Sequence, residues 1–328
     1  MGAAEAMDGA GSPACDASAA AAETAVEDLP ADVLALVLRR LDGASLAAAG
    51  CASSALRDLA ADPDTWRALC LAMWPSLRDL PACRFSAVDH RALFADAFPF
   101  PATPAPPPPP APPQSPIPLP ARLVSAVDLR HAGACVMSRV VDTDASSDWF
   151  LATPFRVDAL VQEGFTAAAA APIAPADLTL SWILIDPATG RAINASSRRP
   201  VSVDRKWLTG DTVARFALVL PGVALDAAVT CDERYGHVRE VSLRVEGGDG
   251  GGVSGRDGLA AVAAAMAGVR RHGGAAAEGE ARRRYEEFVR GKRARKEWKA
   301  RREGIVDLCC SGVGAAAFLG FLVMLTCR

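Results

Sequence analysis

The stretch LPADVLALVLRRLDGASLAAAGCASSALRDLAADPDTW, residues 29 to 66, decides how this chain is organised. Val33, Leu34, Val37, Leu38 and Leu41 recur at i, i+1, i+4, i+5 and i+8, one broad apolar stripe on a helix, with Arg39, Arg40 and Asp42 off it. Pro30 suits the start of that helix, where its missing N–H costs nothing. Asp42-Gly43 is expected to stop it. A short helix from about Ser45 and another from about Ser53 to Ala60 follow, and Asp64-Thr65-Trp66 opens a fourth after Asp62-Pro63. Helices this short cannot enclose their own apolar surface, because a chain below about 40 residues usually needs outside help. A partner helix can cover the remaining stripe. So can the rest of the chain, if this is an ordinary helical subdomain.

The order of the text carries more than the stripe does. Leu29-Pro30, the pairs Val33-Leu34 and Val37-Leu38, then Leu41, Leu46, Leu59, Asp62 and Trp66 resemble an F-box, the adaptor-binding motif of cullin-type ubiquitin ligases, without a gap over the whole stretch. Ala49 and Ala52 replace larger aliphatics, and Leu56 stands where many F-boxes have Trp. The resemblance implies a Skp-type adaptor, and through it a cullin, as partners. It assigns adaptor binding to Leu29, Pro30, Val33, Leu34, Val37, Leu38, Leu41, Leu46, Leu56 and Trp66.

Outward from this stretch, residues 1–26 form an acidic, Ala-rich tail with no bulky apolar pattern, expected to be disordered. The F-box and following helices occupy residues 27–98: a helix runs to Trp74 before Pro75, and Ser86 with Asp89 reads as a capping box opening another to about Phe98. Residues 99–120 hold thirteen prolines, which makes a polyproline linker or a ligand for proline-binding modules. Residues 121–246 change texture to alternating strands, at 122–130, 134–141, 155–161, 178–186, 213–220, 223–231 and 238–245, with turn signals such as Asp186-Pro187 and Pro221-Gly222 between them. Strands without interleaved helices argue an antiparallel sandwich or barrel. Ala167–Ala171 reads as a loop insertion.

The strand-region text Trp149-Phe150-Leu151-Ala152-Thr153-Pro154, Leu180-Ser181-Trp182 and Trp207-Leu208-Thr209-Gly210, taken with the F-box, looks like a group of plant F-box proteins. The strand pattern is faintly similar to the phloem-lectin sandwich, an analogy from which carbohydrate binding does not follow.

Residues 247–281 read as a Gly/Ala-rich linker with a short helix at 257–271. Residues 282–303 carry eleven basic and four acidic residues and should form a charged helix weakened by Gly291. Residues 304–328 contain the uncharged run LCCSGVGAAAFLGFLVMLTC, long enough for one bilayer crossing, which takes about 20 apolar residues. On that expectation Lys292, Arg293, Arg295, Lys296, Lys299, Arg301 and Arg302 flank a single-pass tail anchor and hold the bulk of the chain in the cytosol. Asn194-Ala195-Ser196 would then be a glycosylation reporter of orientation. The alternative is a packed C-terminal helix and a cytosolic or nuclear protein.

The expected fold is therefore α+β and multidomain: N-terminal helices, an antiparallel β-sandwich-like middle, a basic helix and a transmembrane helix. Nine scattered cysteines, none in a C-x-x-C pair, and four isolated histidines offer no zinc spacing. There is no nucleophile elbow, phosphate loop or metalloprotease motif. No cofactor and no catalysis are expected, and a net charge of −3 gives no nucleic-acid bias. The reading is a substrate receptor of a ubiquitin ligase, its β region presenting an unknown target. The rivals are a lectin-like or self-associating interaction module, and a soluble nuclear F-box regulator.

Overall fold

The computed structural model describes residues 29–80, 89–98, 117–161, 173–232, 236–268 and 276–326. The first 26 residues, Ser86, most of the proline-rich segment and Ala167–Ala171 lie outside them. The chain divides into two compact units, Met1–Ala61 and Asp62–Arg328.

The first unit contains α1 (Ala31–Leu38), α2 (Gly43–Ala52) and α3 (Ser54–Ala60). Asp42-Gly43 begins a helix instead of ending one. The Asp42 carboxylate accepts from the Ser45 N–H at 2.8 Å and the Ser45 hydroxyl at 3.1 Å, and those bonds hold its pKa below the usual carboxylate value. α1 has already closed at Leu38 through Arg39 and Arg40. Ser53 caps α3 by accepting from the Leu56 N–H at 3.2 Å. Small residues let α2 and α3 approach: a Cβ on Gly50 would lie 3.3 Å from that of Ala60. Leu34, Leu38 and Leu46 are buried.

The second unit opens with α4 (Pro63–Met73), a 3-10 turn at Pro75–Asp79 and α5 (His90–Ala97). Asp62 and Asp89 cap the two helices with their carboxylates. Two antiparallel sheets follow. One has the order β2 (Ala134–Asp144), β1 (Arg122–His131), β4 (Leu178–Ile185), β5 (Ala192–Asn194). The other has the order β3 (Arg156–Val161), β9 (Val238–Gly247), β8 (Val223–Cys231), β7 (Thr212–Leu220), β6 (Ser202–Arg205). The two short strands β5 and β6 have no apolar alternation long enough to read from sequence. One face of each sheet supplies the core: Leu123, Val127 and Leu129 of β1, Leu180, Trp182 and Leu184 of β4, Phe216 of β7, Leu225 and Val229 of β8, Leu243 of β9. α6 (Asp148–Ala152) and α7 (Gly255–Ala267) close this core with Phe150, Leu259, Val262 and Met266.

The helical segment is fastened to the back of the four-stranded sheet. Buried Asp128 accepts from the Ser76 N–H at 3.0 Å, the Ser76 hydroxyl at 2.6 Å and the Ser138 hydroxyl at 2.7 Å. Arg130 donates to the Ala72 and Met73 carbonyls, each at 3.0 Å, and Arg191 meets Asp96 at 3.1 Å. A fragment of residues 122–246 alone therefore lacks both this cover and three core side chains of α7. It is expected to aggregate or stay molten by near-UV circular dichroism, whereas 62–268 should fold cooperatively.

Burial pushes the Asp128 and Asp226 carboxyls above their ordinary value, Asp226 also being repelled by Glu246. A folded pKa above the unfolded one means that the native state holds the proton longer. Stability is then lost as pH rises from the unfolded value through the folded one, and regained on acidification across that window. Lowering the pH across that window should raise the melting temperature. The rise should shrink in Asp128→Asn, as scanning calorimetry would show.

The C-terminal expectation is corrected. Basic and apolar text form one helix, α8 (Ala276–Thr326), and among the described residues no helix is long and apolar enough to cross a membrane. The transmembrane helix and the tail-anchored, membrane-confined localisation accordingly do not hold. Length misleads here: Gly, Ala, Ser and Thr occupy much of the run, and on insertion scales Leu, Ile, Phe and Val carry the gain. The basic residues consequently have no membrane span to flank. Lys292 binds Glu246 at 2.6 Å and Arg295 donates to the Gly248 carbonyl at 2.7 Å, fixing α8 on the five-stranded sheet, while Arg293, Lys296, Lys299, Arg301 and Arg302 are exposed. Asn194 is not an accessible acceptor either. It is fully buried, its carbonyl oxygen accepting from the Trp182 N–H at 3.3 Å and the Ser196 hydroxyl at 3.0 Å.

Candidate adaptor-binding site

α1 carries two apolar faces, not one. Leu34 and Leu38, four residues apart, turn inward at 5% exposure each. Val33, Leu36 and Val37 lie about one turn apart on another face and stand 39, 63 and 52% exposed. Leu29, at 47%, and Pro30 are exposed at the helix entrance, where the Pro30 carbonyl accepts from the Val33 and Leu34 N–H groups at 3.0 and 3.1 Å. Arg39 and Arg40 follow it, both exposed. An exposed aliphatic cluster on a short helix is what a helix-in-groove or helix-on-helix partner recognises.

Of the ten residues assigned by resemblance, Leu29, Pro30, Val33 and Val37 are exposed, Leu41 and Leu56 are half-buried, and Leu34, Leu38, Leu46 and Trp66 are buried. The buried Leu34, Leu38 and Leu46 of the first unit can only hold the exposed face in position, and Leu46 is fully enclosed. Trp66 sits in α4, 5.3 Å from the Phe94 ring of α5, with Arg91 above it at 6.0 Å. Leu36 escapes the sequence reading. The i, i+3, i+4 set from Val33 contains it, but the broad stripe through Leu34 and Leu38 obscures it.

The Cys70 thiol of α4 is pushed up to about 12 and that of Cys231 to about 11, both chiefly by burial, so neither is a nucleophile near neutrality. Among the described residues no group of three or more His, Cys, Asp and Glu side chains could hold a metal ion.

The F-box-like family pattern matches residues 26–72, which spans α1 to α3 and most of α4. The chain is 39% identical, over 301 residues and 88% of both chains, to Probable F-box protein At2g36090 of Arabidopsis thaliana. The chain belongs to the F-box proteins. Two further F-box proteins of the same plant agree: At2g27310 is 35% identical over 316 residues, covering 86% of this chain and 90% of its own, and At3g44326 is 32% identical over 324 residues, covering 88% and 86%. The similarity thus includes the β-rich region as well as the F-box, and the chain is a plant F-box protein with a β-rich middle. No solved structure matches it.

Proposed function

We propose that this F-box protein is the substrate receptor of a Skp–cullin–F-box ubiquitin ligase. The exposed face of α1, centred on Val33, Leu36 and Val37, docks the Skp-type adaptor, and the β sandwich holds the protein to be modified. The supporting observation is that open aliphatic face within a matched F-box. Leu34, Leu38 and Leu46 hold it in shape from beneath. The receptor is non-catalytic. It contributes by holding a target beside a ubiquitin-charged enzyme, which replaces a bimolecular encounter by a high effective concentration.

Rigid attachment of α4 and α5 to the four-stranded sheet, through Asp128–Ser76 and Arg191–Asp96, suits that role. It ties α4 and α5 to the sandwich within the second unit. Co-purification tests the reading. The tagged full-length chain is expected to bring down a Skp-type adaptor and a cullin from plant extract and to support ubiquitin transfer when the complex is reconstituted. Absence of the adaptor from the purified chain overturns it.

A further inference from the structure

We propose that the free edge of the five-stranded sheet, strand β6 with the Lys206–Gly210 turn, receives an extended acidic peptide of the target protein, with an apolar residue of that peptide against Trp207. This rests on the receptor role proposed above and names its substrate class.

Strand β6 ends its sheet, and among the described strands it pairs with β7 alone. An edge of this kind can accept another strand through main-chain hydrogen bonds. At its far end the chain turns back through Lys206–Gly210, and Trp207 is 89% and Leu208 76% exposed. The turn is well fastened. The Lys206 N–H donates to the Asp211 carbonyl and the Gly210 N–H to the Lys206 carbonyl, both at 2.8 Å, while the Asp211 N–H meets the Thr209 hydroxyl at 3.3 Å. Gly210 takes a φ of 74°, which a side chain would resist. The two apolar side chains are therefore held out on a built support, and a partner loses little ordering entropy in meeting them.

Edge strands often carry charge merely to repel other edges. That accounts for Arg205 and Lys206. It does not account for a bare Trp, a bare Leu and half-exposed Val203 on the same hairpin. Tryptophan in such a position is the residue type most often found at the energetic centre of an interface.

Charge selects the partner. From residue 198 to 210 the exposed charged residues are Arg198, Arg199, Arg205 and Lys206 against Asp204 alone. Asp204 already faces Arg215 at 4.0 Å, and Asp211 is buried toward Arg239 at 3.5 Å. The edge is locally basic on a chain whose net charge is −3. An acidic segment complements it. Nucleic acid also takes basic and aromatic surfaces, but an open strand edge adds nothing to its recognition, and a peptide uses all three features. α8 meets the strand at its entrance, where Arg282 donates to the Val201 carbonyl at 3.4 Å and Tyr285 bonds Ser202. Residues 203–209 beyond that point are exposed.

The test is selection of a display library of random peptides about ten residues long, enough to cover a strand, on the purified full-length chain. Enriched peptides should be rich in Asp and Glu with one large apolar residue. Labelled copies should lose about tenfold or more in affinity on Trp207→Ala, in the range of an interface hot spot, and a smaller factor on Lys206→Glu. Trp149→Ala, at an exposed tryptophan of α6, should change nothing. The Trp207 side chain is almost fully in solvent, so Trp207→Ala should fold normally by circular dichroism. The Val33→Asp/Val37→Asp chain should bind the peptides as wild type does, and Trp207→Ala should still capture adaptor. The two assays therefore fail separately. No enrichment, enrichment of basic or neutral peptides, indifference to Trp207, or preference for a labelled oligouridine over the acidic peptides each overturns the proposal.

Discussion

Val33→Asp/Val37→Asp is expected to abolish capture of the Skp-type adaptor while leaving the chain folded. Both positions are open to solvent, so the carboxylates cost the free protein almost nothing. In the complex they would lie inside an apolar contact. Two aliphatic side chains there contribute about 1.5–3 kcal/mol each. Two carboxylates buried without partners add a further penalty. At about 1.4 kcal/mol per factor of ten, the loss exceeds roughly a hundredfold. Leu36→Asp should weaken capture on the same grounds, since Leu36 is the most exposed aliphatic of α1. Leu34→Ala/Leu38→Ala should also reduce capture, but for a different reason. Those side chains are buried, and their removal costs helical signal and protease resistance in the first unit. The pair of experiments separates contact from support. A Val33→Asp/Val37→Asp chain that captures adaptor normally removes α1 from the interface.

What is legible in the sequence follows from how local each signal is. The F-box depends on spacing within a few turns, and Leu29 to Trp66 shows it as text. Strands with one face in the core alternate along their length, and β1, β2, β3, β4, β7, β8 and β9 are readable for that reason. The rest depends on what lies opposite in space. Asp42-Gly43 looks like a helix stop until Ser45 is seen to bond the carboxylate. Asn194-Ala195-Ser196 looks like a surface acceptor until β5 is found paired with β4, with Trp182 and Ser181 using the amide. The C-terminal run suggests a span by its length and lack of charge. Two of the basic residues before it, Lys292 and Arg295, are engaged by Glu246 and Gly248, which nothing in their own neighbourhood reveals. β6 is four residues long, and its neighbouring Trp207 draws attention in the sequence without saying whether it lies inside or out. Exposure supplies the answer, and with it the edge site.

The second large effect is expected at Gly255, the first residue of α7. Replacing a helical Gly by Ala normally stabilises by about 0.5–1 kcal/mol, because the unfolded chain has less freedom to lose. A Cβ added to Gly279 of α8 would meet nothing within 4 Å, and Gly279→Ala should show that ordinary gain. At Gly255 the sign reverses. A Cβ there would lie 1.8 Å from the Phe150 carbonyl oxygen, and backbone cannot rotate away as a side chain can. The Gly255 N–H also donates to the Thr153 carbonyl at 2.7 Å, so the contact with α6 is held from both sides. Moving α7 outward would uncover Leu259, Val262 and Met266, all in the core. Gly258, one turn on, is bound by the same constraint, its Cβ position being 2.8 Å from the Phe155 ring. Overpacking usually costs about 1–3 kcal/mol, and a clash against backbone that also opens a core should exceed it, at roughly 3–5 kcal/mol. Urea denaturation of Gly255→Ala should therefore show a midpoint far below wild type, while adaptor capture through α1, in the other unit, persists. An unchanged or raised midpoint would mean that α7 does not close the sandwich against Phe150, and the 62–268 boundary would lose its C-terminal element.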